Sequence, residues 1–409
     1  MTAKYLNRLA ALAAALLCTT ACIYPFEVEL SKTGEWPLVI DGDILIGATT
    51  VLNLSHVRPF NADPDELQHF SASGYIEGED GTKVESSGYG FYVQIAPEVA
   101  ISFDTSKLRP DQRYRLHLTT YGDRLEPLNT YESDWLTPCS APTIDNLSYS
   151  NHPENNQLWI GLSMNCPGEH YFRWSFTETW EYHSDIHSSL EYVPWHFDER
   201  KGYTAEYRYA DPDLYYCWST VSSPQINIFS TINQTEDRFE DLAFHVIRLN
   251  DKRLQVLYRI TVQLQAISED AYNYWHTIQE NSEGQGSIFS PTPSQTASNV
   301  HCTSDPALGV IGYLNAAVPA ISVLYYDNAV EHYYKPDKPY LSQLDTLEAN
   351  DFYMADRIYA AGKLPSYGLY LDMASGSPTH YVWDNAICID CRRQGGTKSK
   401  PNDWPNDHK

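Results

Sequence analysis

Leu254-Gln-Val256-Leu-Tyr258-Arg-Ile260-Thr-Val262-Gln-Leu264-Gln-Ala266 sets apolar side chains at every second position, with Gln255, Arg259, Thr261, Gln263 and Gln265 in most of the gaps. A period of two is what a strand with one face in a core requires, because successive side chains leave the backbone on opposite sides. Directly after it, Ser268 stands where a helix cap belongs, Glu269 and Asp270 suit the positive end of a helix, and Ala271, Tyr274, Trp275 and Ile278 follow the i, i+3, i+4, i+7 spacing. The spacing predicts a helix stopped by Gly284. Residues 286–308 are rich in Pro, Ser and Thr and show no period, so they read either as a binding loop or as a connection wrapping the sheet, pinned by Cys302. Gly309-Val-Ile-Gly312-Tyr313 then reads as the start of another strand.

Upstream, Tyr171-Phe-Arg-Trp-Ser-Phe-Thr-Glu-Thr-Trp-Glu-Tyr182 places Phe172, Trp174, Phe176, Glu178, Trp180 and Tyr182 on one face. Residues 144–149, 158–162, 217–218 and 225–229 supply further strands, whereas 183–213 lose the alternation and read as a long inserted loop. The strand at 254–266 is expected to close this second β unit. Before it, residues 37–40, 50–57, 71–76, 91–95 and 114–120 are β-rich, and Gly78-Glu-Asp-Gly81 has hairpin-turn chemistry. Leu108-Arg-Pro110 ahead of Tyr114 is the pattern of a tyrosine corner, in which the phenol reaches back to the chain at a sandwich corner.

The expected fold is therefore mainly β, with tandem immunoglobulin/fibronectin-type sandwiches. The first covers 22–140 and the second 141–393, the latter with one short helix and long loops. Residues 138–142 read as a linker, 341–353 as a further short helix, and 394–409 as a polar surface tail.

Lys4 and Arg8, an apolar run over 9–17, and Thr19-Thr20-Ala21-Cys22 form a secretory signal over 1–21 in which Cys22 takes the place of a lipidated first residue. Cys18 follows Leu17 rather than a small residue. Residues 310–326, the most apolar later run, are broken by Asn315 and Pro319, so the expectation is a protein anchored to a membrane by lipid rather than spanning it. Without Lys4 and Arg8, 26 basic residues face 53 acidic ones, a balance of −27. Such a surface repels nucleic acid and anionic head groups.

Besides Cys22, the cysteines after the signal are Cys139, Cys166, Cys217, Cys302, Cys388 and Cys391. In an oxidising compartment an even number makes disulfides the default and leaves their pairing open. Cys388-Ile-Asp-Cys391 has redox or metal spacing, but no second pair accompanies it, and a structural role is expected.

Glu178, Trp180, Tyr182 and Trp195 are the candidate ligand-binding residues, since aromatic faces stack on sugars or peptide side chains and a carboxylate takes a hydroxyl or amine. The opposing and favoured reading makes the aromatics core residues, with Glu178 paired to an arginine. His183 and His187 have helical metal spacing but no following Glu, and their surroundings read as loop, so no metal is expected. No nucleophile elbow or phosphate loop is present, and no cofactor is expected.

Several stretches recur in a family order: Pro25-Phe26-Glu27 after the lipid cysteine, Val39-Ile-Asp-Gly42, Tyr171-Phe-Arg-Trp174 with Glu178-Thr-Trp180, Cys217-Trp218, and Ser268-Glu-Asp-Ala-Tyr272-Asn-Tyr-Trp275. So do Gly286-Ser-Ile-Phe289, Asn299-Val, Gly309-Val-Ile-Gly312-Tyr313, Cys388-Ile-Asp-Cys391-Arg392, Gly395-Gly-Thr and Lys400-Pro401-Asn-Asp-Trp404. Together they resemble a domain-of-unknown-function (4249) lipoprotein family of Bacteroidota, whose members are commonly encoded beside TonB-dependent outer-membrane receptors. The resemblance implies an outer-membrane lipoprotein accessory to uptake and transfers no catalytic residue. Ile23-Tyr24-Pro25-Phe26 stands where surface-exported lipoproteins of that phylum often carry an acidic run.

The expectation is thus a non-enzymatic accessory of a TonB-dependent receptor in nutrient uptake or ligand capture. The alternative is a stand-alone glycan- or peptide-binding surface module; a hydrolase comes third.

Overall fold

The computed structural model describes residues 36–57, 69–87, 96–122, 124–188, 190–209, 214–223, 226–234, 236–283, 298–335, 344–371 and 377–405. The signal segment, Cys22, the expected strand at 91–95, Gly284 and most of the 286–308 connection lie outside them.

The chain is mainly β and builds several sheets. Its first strands are β1 (Leu38–Asp41), β2 (Ile44–Leu45), β3 (Thr49–His56), β4 (Ser71–Gly78), β5 (Lys83–Ser87), β6 (Glu98–Asp104), β7 (Tyr114–Tyr121) and β8 (Pro127–Ser133). The middle of the chain gives β9 (Thr143–His152), β10 (Gln157–Asn165), β11 (Tyr171–His183), β12 (Leu190–Asp198), β13 (Gly202–Tyr209), β14 (Tyr216–Ser222), β15 (Asn227–Ser230), β16 (Arg238–Arg248) and β17 (Leu257–Ala266). Helix α1 (Glu269–Glu283) follows, then β18 (Val300–Cys302), β19 (Val310–Ile311), β20 (Ala316–Ala317), β21 (Ala320–Asp327) and α2 (Asn328–Glu331). The carboxyl part contains β22 (Asp345–Glu348), α3 (Phe352–Ala360), β23 (Lys363–Leu369), β24 (His380–Asn385) and α4 (Ala386–Ile389).

The nine-stranded sheet runs β18-β8-β7-β4-β5-β6-β3-β1-β19, and side chains from its two halves, among them Ile40, Leu54, Phe103, Leu116 and Tyr131, meet in one core. Tyr114 donates to the Arg109 carbonyl at 2.8 Å and accepts from the Arg109 amide at 2.7 Å, so its phenol closes the corner that Leu108-Arg-Pro110 predicts.

A second core lies between the three-stranded sheet β16-β10-β9 and the sheet β14-β11-β17-β21, with β15 also on β11. Here Tyr258, Ile260, Val262 and Leu264 of β17 are buried, as the alternation demands. Each fully buried aliphatic side chain contributes roughly 1.5–3 kcal/mol. The strand begins at Leu257, because Lys252–Leu254 form a 3-10 turn, and it is bonded to β11 on one side and β21 on the other. It is a central strand, not the closing one expected. Ser268 caps α1, its Oγ accepting from the Ala271 amide at 3.2 Å.

Four further expectations are corrected. Residues 183–213 are not one loop, since they hold the antiparallel hairpin β12–β13. The helix expected over 341–353 is instead β22 followed, after the Asp351 cap, by α3. The division at residue 140 is crossed: β18 pairs with β8, β19 runs parallel to β1 and β20 parallel to β2. Val300, Cys302, Leu308, Leu314 and Ala316 complete the first core, which is the physical reason the chain returns there. Of the six cysteines proposed for disulfides, Cys217 and Cys391 are joined with Cα atoms 5.8 Å apart, and Cys139, Cys166, Cys302 and Cys388 carry free thiols.

The carboxyl end is a strap rather than a surface tail. The Trp218 amide donates to the Thr397 carbonyl at 2.9 Å and the Thr397 amide returns the bond at 2.8 Å, extending the sheet beyond β14. Trp404 is then buried and donates its indole N–H to Glu181 Oε2 at 3.0 Å, while Arg259 bonds Asp403 at 2.5 Å. Glu181 lies on the face of β11 opposite the second core, so without the strap it would meet water instead of an indole.

Two variants measure the strap. Cys391→Ser is expected to lower the unfolding free energy by about 2–5 kcal/mol, and Trp404→Ala by about 3–5 kcal/mol. Guanidinium titrations followed by circular dichroism check both, and midpoints equal to that of the parent protein would show that the strap bears no load.

Candidate functional site

Glu178 points from β11 into the second core, where an unpaired carboxylate would be prohibitively costly. Three donors converge on its Oε1: Arg253 Nη1 at 2.8 Å, Tyr258 Oη at 2.8 Å and His245 Nε2 at 3.1 Å. Burial opposes ionisation, but the bond from His245 and the charge of Arg253 outweigh it and hold the Glu178 carboxyl below its ordinary value. Arg253 is itself braced by Asp251 at 2.9 Å. Trp180 and Tyr182 are buried in the same core, and Tyr182 donates to the Cys391 carbonyl at 2.8 Å. Glu178, Trp180 and Tyr182 therefore do not form a ligand face. The reason is packing: the opposing sheet covers that side of β11. Trp195, the fourth candidate, stands apart on β12 and is 53% exposed.

His183 bonds Glu181 at 3.2 Å, and the rings of His183 and His187 pack on Tyr215. Among the described residues no group of three or more His, Cys, Asp or Glu side chains is placed to hold a metal.

A cleft forms instead where the first and second cores meet. Asp43, between β1 and β2, is 7% exposed and accepts from Arg173 Nη1 at 3.1 Å, from the Asn315 amide at 3.2 Å and from Gln265 Nε2. Burial pushes its carboxyl above the ordinary value, with Arg173 pulling the other way. The second fork of Arg173 donates to Asp41 Oδ1 at 3.2 Å, and the guanidinium lies 4.5 Å from the ring centre of Trp275 on α1. Asn315 donates to the Ala266 carbonyl and accepts from the Ser268 amide, both at 3.2 Å, so one side chain ties the end of β17 and the start of α1 to the returning chain.

That return is close-fitting. Tyr274 accepts from the Gly312 amide at 2.7 Å, and Asn299 bonds both the amide and the carbonyl of Leu314, at 2.9 and 2.8 Å. Gly312 has φ of +130°, and a Cβ there would run into the Ile40 carbonyl, so both space and dihedral require glycine. The cleft beside this node has a volume of about 640 Å³, and Asp41, Thr49, Asn53, Arg173, Trp174, Ser175, Ser222 and Gln263 are among its lining residues. Sequence reasoning missed it, because its parts lie on strands far apart in the chain.

A family model described as a domain of unknown function (DUF4249) matches residues 23–320. The chain belongs to this family. No curated protein matches it. Every residue of the node, from Asp41 to Asn315, falls inside the DUF4249 span, while the strap and the β22–α4 part lie beyond it. Five of the stretches that carry the resemblance meet at the node: those around Val39, Arg173, Trp275, Asn299 and Gly312.

The hairpin β12–β13 is the other exposed feature. Asp198 Oδ1 accepts from the Arg200 and Lys201 amides, each at 2.8 Å, and fixes its turn. Phe197 and Tyr203 stand 5.6 Å apart, 64% and 77% exposed, beside Trp195. The inward side is held by Tyr192 and Tyr207 against Trp383.

The Glu178 node predicts a pH signature. A carboxyl whose folded pKa is depressed contributes stability above its unfolded pKa, ordinarily 4.5, that is lost as pH falls through the lower folded value. Glu178→Gln should flatten that acid limb of the stability curve, and Glu178→Ala should cost about 3–5 kcal/mol at neutral pH because Arg253 loses its buried partner. Urea unfolding at a series of pH values checks both; unchanged slopes in the Gln variant would contradict the assignment.

Proposed function

We propose that this DUF4249 protein is a non-enzymatic, lipid-anchored outer-membrane protein that captures a ligand in the cleft between its two main cores and works beside a TonB-dependent receptor in nutrient uptake. The observation that carries the reading is the cleft itself. Its volume is that of a small-molecule site, and it is walled by a few placed polar groups and by aromatic rings. Its two acidic side chains, Asp41 and Asp43, are both bonded to Arg173, and Asp43 is bonded to Gln265 and the Asn315 amide as well, an arrangement that suits holding rather than proton transfer. The signal sequence over 1–21, followed directly by Cys22, supports the anchor, and the family resemblance supports the receptor as partner.

A second reading rests on Trp195. The exposed aromatic hairpin would serve a stand-alone module for glycan or peptide, since contiguous exposed rings mark interaction surfaces.

Labelling cells with an alkyne palmitate analogue tests the anchor: Cys22→Ala is expected to abolish incorporation and leave the protein unprocessed. An affinity-tagged parent protein, solubilised in mild detergent, should retain a TonB-dependent receptor, and a deletion strain should take up the receptor's nutrient more slowly. Normal uptake with no receptor recovered would overturn the accessory role. Ligand binding lost in Trp195→Ala but kept in cleft variants would move the site to the hairpin.

A further inference from the structure

We infer that the cleft at the Asp43–Arg173 node takes an uncharged, polyhydroxylated ligand, a short neutral glycan, and turns anions away; this rests on the capture reading above. The argument begins with charge. Arg173 is the one cation among the described residues lining the cleft, and both forks of its guanidinium are engaged, on Asp43 at 3.1 Å and Asp41 at 3.2 Å. An anionic ligand would have to displace a carboxylate from it, and Asp41, 56% exposed at the side chain, would repel the newcomer. The chain's net charge of −25 adds to that barrier. A cationic ligand fares little better, because the exposed carboxylate is already neutralised by Arg173.

The groups left for recognition are uncharged. Thr49, Asn53 and Ser175 are exposed at the lining and offer hydroxyl and amide groups that both donate and accept, and Ser222, exposed beside them, is bonded to Thr177. Val51 and Trp174 supply apolar wall. Alternating hydroxyls and C–H faces are what a sugar presents, and hydroxyl-to-amide bonding pairs with it without a desolvated charge.

An extended peptide fits less well. It would bind by adding a strand, and the strands that supply most of the lining are paired on both sides, while the end strands β2, β14 and β19 contribute one residue each, Leu45, Ser222 and Ile311. β1 lies between β3 and β19, β3 between β1 and β6, and β17 between β11 and β21, while the start of β11 is bonded to β15 and β17.

The test uses the full lipidated chain in detergent micelles and four probes: maltotriose, xylotriose, triacetylchitotriose and the anionic trigalacturonate. Titration calorimetry, with tryptophan fluorescence as a second readout, should find saturable binding of at least one neutral trisaccharide and none of trigalacturonate. Asn53→Ala combined with Ser175→Ala should weaken it about tenfold without moving the unfolding midpoint, since both side chains are exposed. Tighter binding of trigalacturonate, a neutral ligand that ignores the double variant, or no binding by any probe at millimolar concentration would each overturn the inference. Uptake in the deletion strain separates the two ideas: slowed uptake with no glycan bound removes only the ligand class, and normal uptake removes the capture reading too.

Discussion

Asp43 is an acid that the fold has buried, and satisfying it ties together elements far apart in the chain. A carboxylate taken out of water costs several kcal/mol unless geometry returns that energy through hydrogen bonds and a counter-ion. The returns come from three separated places: Arg173 on β11, Gln265 on β17 and the Asn315 amide after β19. No local folding event assembles that set. β11 and β17 must already be paired, and the chain must have travelled out through α1 and back to the first sheet. The node therefore makes two β cores, each with its own apolar interior, settle into one mutual arrangement.

The same logic recurs along β11. Glu178 on one face and Glu181 on the other are both almost fully buried, and each is met by a distant partner: Arg253 with His245 and Tyr258 for the first, the Trp404 indole for the second. Three buried acids close to one strand mean that apolar burial alone does not position it. A slip of one residue would carry buried side chains such as Phe172 and Val262 to the opposite face, and it would also break the short charge-assisted bonds. Register in this sheet is accordingly fixed by apolar and polar contacts together.

Period-two alternation made β17 and β11 legible in the sequence, turn chemistry marked the β4–β5 hairpin, and Tyr114 announced its corner. Glu178 on an apolar face could be read as needing an arginine, and Arg253 is that partner. What could not be read was adjacency between elements far apart. Nothing local in Val300–Cys302 says that it will pair with β8, because three residues carry too little pattern, and the reason for the pairing is the vacancy in the first core that Val300 and Cys302 fill. The hairpin β12–β13 was hidden for a different reason. Its exposed face carries Trp195, Phe197 and Tyr203, so both faces look apolar and the alternation that betrays a strand disappears. Trp404 was missed because polar neighbours surround it, although a lone tryptophan in a polar run is itself a sign of docking.

β11 also sets how the proposed functions are spaced. Its thirteen residues run from Tyr171, beside the cleft, to His183, beside the strap, a length of about 40 Å at the usual rise of a strand. The cleft end lies within the DUF4249 span and is walled by elements bonded to both cores, so its polar groups are held before any ligand arrives, which lowers the ordering cost of binding. Past the far end the chain enters the β12–β13 hairpin, still inside that span, whose Tyr192 and Ala205 share a small satellite core with Ala355 and Trp383 from beyond residue 320. The cleft is thus gathered at one end of β11 and the strap at the other. Cleft and hairpin share no residue, so a ligand in the one would leave the aromatic face of the other uncovered.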